Sequence, residues 1–239
     1  MYALFKKEIR YFFTSPIGFT IIGLFVVLNG LFLWILKTEY NIFNSNFADL
    51  LPFFKISSWI FVFLVPALTM RTISEEKRNG MLTLLFTKPV STLEIVLGKY
   101  LGVLFLLFIT LVPSVIYVYM VWTLGNPVGN LDITGTIGSY IALFLLIASF
   151  SAVGLWTSSV SNNQIISFVL AAFLCFFFFF GLDQIVELIF PENLSKIGFQ
   201  SHFDAISRGV IDSRNIIYFI SVIAFFLYIT TLSLKSYKL

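Results

Sequence analysis

Apolar residues run in long blocks along this chain, at 17–36, 52–70, 101–122, 137–156, 165–182 and 216–234. A hydrocarbon core roughly 30 Å thick is crossed by about 20 apolar residues rising about 1.5 Å each. Each block approaches that length. The pattern predicts an all-α integral membrane protein with six transmembrane helices. The second block is the weakest, because Lys55 intrudes near its start and must snorkel to the interface. The first block follows Lys6, Lys7 and Arg10, as the core of a secretory signal would. It is too long for that role, and Trp34, Ile35, Leu36 and Lys37 offer no small-residue cleavage site. It reads as a retained span.

Two shorter stretches carry helical periodicity of another kind. In residues 2–13, Tyr2, Phe5, Ile9, Phe12 and Phe13 share one side of a helical wheel. Lys6, Lys7, Glu8 and Arg10 take the other side, and Leu4 falls off the pattern. Such a helix lies in the membrane plane with its cations toward anionic headgroups. Ser15 and Pro16 then break it, which predicts an N-terminal interfacial helix over 1–16. In residues 183–215, Phe199, Phe203, Ile206 and Val210 recur at helical spacing, with Asp204 and Arg208 four apart on the polar side. Pro191 separates them from 183–190, so this loop reads as a hairpin of short amphipathic or re-entrant helices at the outer surface.

Charge sets the orientation, since Lys and Arg concentrate on the cytoplasmic side. With an internal N-terminus, Lys6, Lys7, Arg10, Arg71, Lys77, Arg78, Lys88, Lys99, Lys235 and Lys238 lie inside. Only Lys37, Lys55, Lys196, Arg208 and Arg214 lie outside. Both termini are therefore expected in the cytoplasm. Composition agrees with a lipid-covered chain: 59% of the 239 residues are hydrophobic and 11% are charged, against about 25% charged in a soluble domain. No stretch between spans is long enough for a soluble domain, so 1–239 reads as one transmembrane unit. A net charge of +3 is too small and too dispersed along the chain to suggest nucleic acid, and no such partner is expected.

Catalytic chemistry finds no foothold. One cysteine, Cys175, and one histidine, His202, leave no intrachain disulfide, no thiolate metal site and no haem or zinc ligand set. Gly98-Lys99-Tyr100 lacks the hydroxyl and the preceding glycine of a phosphate-binding loop. Glu75-Glu76 has no histidines on neighbouring spans with which to form a protease centre. The span interiors hold only weakly polar groups such as Asn29, Thr110, Ser114 and Ser151, whereas ion-coupled transporters carry intramembrane charges. No cofactor, metal or intrinsic enzymatic activity is expected.

The informative segment is the loop 71–100, expected to be cytoplasmic. Glu75 and Glu76 precede Lys77 and Arg78, an order that suits the helix dipole. Gly80 is a natural helix stop. Met81, Leu84 and Leu85 then make a short apolar face that no transmembrane packing explains, and Pro89 ends it. Ser91-Thr92-Leu93-Glu94 is a capping box, stapled by Val90 and Ile95, that launches the third span. An exposed apolar patch of this kind fits either docking to a partner or packing of the loop on its own helix ends.

This segment resembles the hallmark of permease subunits of type-2 ABC exporters. The carrying residues are Glu75/Glu76, Gly80-Met81-Leu82, Leu84-Leu85, Thr87-Lys88-Pro89-Val90-Ser91, Glu94-Ile95 and Gly98-Lys99. The resemblance implies six spans, an N-terminal interfacial helix, a coupling helix in this loop and outer helices before the last span. It further implies a separate ABC ATPase subunit that engages Glu75, Glu76, Gly80, Met81, Leu84, Leu85 and Pro89, with the two glutamates meeting basic residues at its rim. A second permease subunit and the bacterial inner membrane complete the implied assembly. Thr83 departs from the acidic residue that many members carry after Gly-Thr-Leu. The stretch 201–214 is similar to that of gliding-motility-associated permease subunits of bacteroidete bacteria. Two other readings stay open at this point: an ATP-driven mechanical transducer or scaffold that moves no solute, and an oligomeric channel or anchor with no ATPase.

Overall fold

The computed structural model describes residues 1–44, 48–189, 197–209 and 212–238, and among these it contains helices and no strand. Among the described residues, six helical stretches are long and apolar enough to cross a membrane: Pro16–Ile35, Leu51–Arg78, Thr92–Leu124, Ile133–Val160, Gln164–Leu188 and Ser213–Tyr237. Each overlaps one of the six apolar blocks, the second and third running several residues beyond theirs. The all-α, six-span architecture expected from the hydropathy pattern is the architecture observed.

The helices in chain order are α1 (Tyr2–Thr14), α2 (Pro16–Gly30), α3 (Leu51–Thr69), α4 (Ser74–Arg78), α5 (Met81–Phe86), α6 (Thr92–Leu111) and α7 (Val115–Leu124). There follow α8 (Ile133–Val160), α9 (Gln164–Phe176), α10 (Leu182–Ile189), α11 (Phe199–Ser207) and α12 (Ser213–Lys238). A π-helical turn over Leu31–Ile35 ends the first span, and another over Phe177–Gly181 joins α9 to α10. Pro113 sits in a 3-10 turn that divides α6 from α7, and Pro66 lies inside α3.

The fourth span, α8, is the axis of the bundle. Its small residues, among them Ala142, Ala148, Ser149, Ala152 and Ser158, let neighbours approach closely, as is usual between helices in lipid. It packs against α3, α6, α9, α11 and α12. Spans one and two are tied together by a buried polar bridge. Ser57 Oγ donates to Asn29 Oδ1 at 2.9 Å, and Asn29 Nδ2 donates to the Phe25 carbonyl at 2.9 Å. Around it Phe25 stacks on Phe61 with ring centres 4.8 Å apart. The polar residue read as a weak intramembrane group is thus an interhelical clamp.

α8 has two dissimilar ends. At its N-terminus, capped by Asp132, Ser139 Oγ donates to the Ser207 carbonyl of α11 at 3.2 Å. The apolar face expected for α11 is present and buried at Phe199, Phe203 and Ile206. The Asp183 carboxylate accepts from the Gly198 and Ser201 amides at 2.8 and 3.1 Å, closing the N-terminal turn of α11. Val210 and Pro191 lie outside the described residues. At the C-terminal end of α8, Ser158 and Ser159 hold the segment that follows α3.

α1 is helical as expected, but its faces differ from the helical-wheel reading. Leu4, Glu8 and Phe12 point inward, and Glu8 is buried rather than turned to headgroups. The reason is close approach to α6. A Cβ built on Gly98 would stand 2.9 Å from Leu4 Cβ, and one on Gly102 would stand 2.6 Å from Glu8 Cβ. The two glycines make a groove into which Leu4 and Glu8 fit, so Leu4, the misfit of the amphipathic pattern, is a packing residue.

Candidate coupling site

The segment that joins α3 to α6 is built as a bracket. Ser158 Oγ accepts the Ile73 and Ser74 amides at 3.1 and 3.0 Å and donates to the Met70 carbonyl at 3.1 Å. These bonds satisfy backbone groups that the turn between α3 and α4 would otherwise strand. Lys77 donates to the Ser159 carbonyl and lies 4.7 Å above the Tyr237 ring, which pins α4 to the ends of spans four and six. Glu75 and Glu76 occupy the first turn of α4 and Lys77 and Arg78 the last, in line with its dipole. Gly80 adopts φ 68°, the left-handed conformation that favours glycine, and turns the chain into α5.

α5 separates its leucines sharply. Leu82 and Leu85 are buried in the core, at 0% and 9% exposure, whereas Met81 and Leu84 are exposed at 47% and 66%. Leu85 therefore does not belong to the exposed face on which the sequence pattern placed it. The exposed face of α5 is Met81 and Leu84, with Thr83, Lys88 and Pro89 exposed beside them. The capping box closes the bracket: Ser91 Oγ accepts the Glu94 amide at 3.2 Å, and the Glu94 carboxylate accepts the Ser91 amide at 3.1 Å. Ile95 of the staple is fully buried and Val90 packs against the same core.

Beneath α5 lies a cluster of charges drawn from three segments. Lys99 Nζ, on a side chain only 2% exposed, contacts Glu8 Oε1 of α1 at 2.9 Å and Glu76 Oε2 of α4 at 2.9 Å. It also donates to the Thr72 carbonyl at 2.7 Å. Lys7 Nζ reaches Glu76 Oε1 at 2.9 Å and the Met81 sulfur at 3.7 Å. Two cations face two carboxylates, which is the condition for keeping charge out of water. Glu76, expected at the rim, is thus engaged internally and is 13% exposed. Glu75 is half-buried beside Tyr11, whose phenol is pushed above its ordinary range by burial first and by the Glu75 charge second.

Of the residues singled out in the loop, Glu75, Glu76, Gly80 and Met81 come together at this corner, Leu84 projects from it, Pro89 follows it, and Leu85 turns away. Sequence reading missed Lys7, Glu8 and Lys99 as members. A signal for Lys99 was present: it sits among Ile95, Val96, Gly98 and Tyr100, on a helix stretch too apolar to leave a lone cation at ease.

Comparison with known families decides the class. The model for ABC-2 family transporter proteins matches residues 2–238. The chain belongs to the ABC-2 transporter family. No curated protein matches it. As an ABC-2 family member the chain is the permease component of an ABC transporter, a multi-pass membrane protein. Membership implies association with an ABC ATPase subunit, and the permease is not itself the catalytic part.

Proposed function

We propose that this chain is the transmembrane half of an ATP-driven exporter in the bacterial inner membrane, with both termini cytoplasmic. A separate ABC ATPase seats on Met81 and Leu84, with Gly80 and Pro89 bounding the docking helix and Glu75 at its edge. A second permease subunit, identical or different, completes the working unit. ATP-driven closure of the ATPase pair displaces α5. Because Lys77, Ser158 and the capping box bind this bracket to spans two, three, four and six, the displacement rocks the spans between inward- and outward-facing states. The observation that carries the reading is the exposure of Met81 and Leu84 on a short helix whose ends are both fixed. The Lys/Arg bias supports a cytoplasmic position for that helix.

The resemblance over 201–214 supports a place for the exporter in gliding motility. That stretch includes His202, which stacks on Tyr218 at 3.9 Å and shares a 2.7 Å hydrogen bond with Asn215 Oδ1. The test is to purify the tagged chain from its native membrane and measure vanadate-sensitive ATP hydrolysis. The expected result is activity that follows a copurifying subunit bearing a phosphate-binding loop and disappears when that subunit is stripped away. Recovery of a homogeneous oligomer of this chain alone, without ATP turnover under any mild solubilisation, overturns the proposal.

A further inference from the structure

α1 touches the rest of the protein in two different ways. Against α6 it is packed tightly, through Leu4 on Gly98 and Glu8 on Gly102. Toward α4 and α5 it is not: a cavity of about 210 Å³, lined among others by Tyr11, Leu68, Arg71 and Met81, lies between them. Polar links cross that gap. They include Lys7 to Glu76, Lys7 to the Met81 sulfur, Glu8 to Glu76 through Lys99, and a side-chain hydrogen bond between Tyr11 and Glu75.

Apolar side chains of similar volume would hold a static joint at least as well as a buried ion cluster, because desolvation offsets the Coulomb gain. What charges add is geometric demand. Moving Glu76 away from Lys99 and Lys7 strands buried charge, so Glu8, Lys7, Lys99 and Glu76 shift together or not at all.

We infer that the Glu8–Lys99–Glu76–Lys7 cluster is an ionic latch that makes the N-terminal helix α1 a moving arm of the coupling element, carrying displacement of α5 to α1. This rests on the proposed docking of an ATPase on Met81 and Leu84. The geometry places Lys7 at the junction, since its ammonium bridges the docking residue Met81 and the internal carboxylate of Glu76. Docking that shifts Met81 therefore acts on the latch directly. Lys99 is a positioning residue in this scheme: it touches no partner and acts through Glu76 and Glu8.

The experiment uses the permease bound to its ATPase in nanodiscs, with Cys175, which is buried, replaced by serine. Spin labels on Lys6→Cys and Asn130→Cys report α1 against the opposite end of the bundle. Labels on Lys88→Cys and Asn130→Cys report the coupling loop. Distances are read by pulsed electron resonance with and without ATP and vanadate. Both pairs are expected to change in the wild-type background. In the triple variant Glu8→Gln, Glu76→Gln, Lys99→Met, which removes charge while keeping side-chain size, the loop should still respond. The α1 response should fall at least threefold, with ATPase stoichiometry unchanged. Lys7→Met, an exposed change compatible with folding, should reduce the α1 response by about half, and Lys7→Arg should restore it.

An α1 response of wild-type size in both the triple variant and Lys7→Met overturns the latch, as does an α1 that never moves in the wild type. Failure of the ATPase to bind the unmodified chain would instead sink the docking reading beneath it.

Discussion

Leu84 and Leu85 are adjacent in sequence and opposite in environment, so a pair of alanine substitutions separates docking from folding. Leu84 is 66% exposed. Fully burying a leucine side chain is worth about 1.5–3 kcal/mol, so about two-thirds of that, roughly 1–2 kcal/mol, is available to a partner that covers it. Leu84→Ala should therefore weaken ATPase binding about five- to thirty-fold. It should change the stability of the permease by no more than about 0.5 kcal/mol, as surface substitutions do. Leu85 is 9% exposed and belongs to the core. Leu85→Ala removes buried methyl groups and leaves a cavity, which costs about 2–5 kcal/mol of stability. Its effect on the affinity of the folded fraction should be small. Thermal unfolding in detergent and ATPase titration in nanodiscs read the two quantities independently. Leu84→Asp extends the series, because an unpaired carboxylate in an apolar groove costs more than a missing contact. If Leu84→Ala binds the ATPase like the wild type while folded Leu85→Ala loses affinity, the docking face has been assigned to the wrong side of α5.

Other outcomes follow from the same structure. A cysteine at Asn130 should react with an impermeant thiol reagent added to intact cells and one at Asn79 should not; reaction at Asn79 alone reverses the assigned orientation. Asn29→Ala and Ser57→Ala, combined in a double-mutant cycle, should show a coupling energy of about 0.6 kcal/mol, the average for polar pairs between helices in lipid. Additive costs would show that the 2.9 Å bridge contributes nothing. Asp183→Asn keeps one amide oxygen as acceptor but loses the charge, so hydrogen exchange at the Gly198 and Ser201 amides should quicken; unchanged protection there would remove Asp183 as the cap of α11.

The spans were legible because lipid imposes both a length and a composition, and the capping box over Ser91–Glu94 was legible because it is local. Faces of short helices were not. α5 spans six residues, under two turns, so periodicity could not say whether Leu84 or Leu85 joins Met81 outside. α1 misled for a different reason. Amphipathicity assumes that charged residues face water or headgroups, whereas Glu8 is neutralised by Lys99, 91 positions away. That pairing depends on Gly102 letting Glu8 approach, a fact of tertiary packing. Asp183 likewise finds its partners 15 and 18 residues on, beyond the reach of any local rule. Long-range polar contacts were the part hidden from the sequence, and they help hold the bracket between α3 and α6.

The central claim is that an ATPase seats on the outward face of α5. A photoreactive benzoylphenylalanine placed at position 84, in turn at position 82, and in a control at Ile133 near the opposite end of α8, tests it in the assembled complex. Crosslinking to an ATPase subunit is expected from position 84, with a yield that changes when ATP and vanadate are added. None is expected from position 82, where Leu82 is fully buried, or from position 133. Equal crosslinking from positions 84 and 133, or none from 84 in a complex that still hydrolyses ATP, contradicts the account.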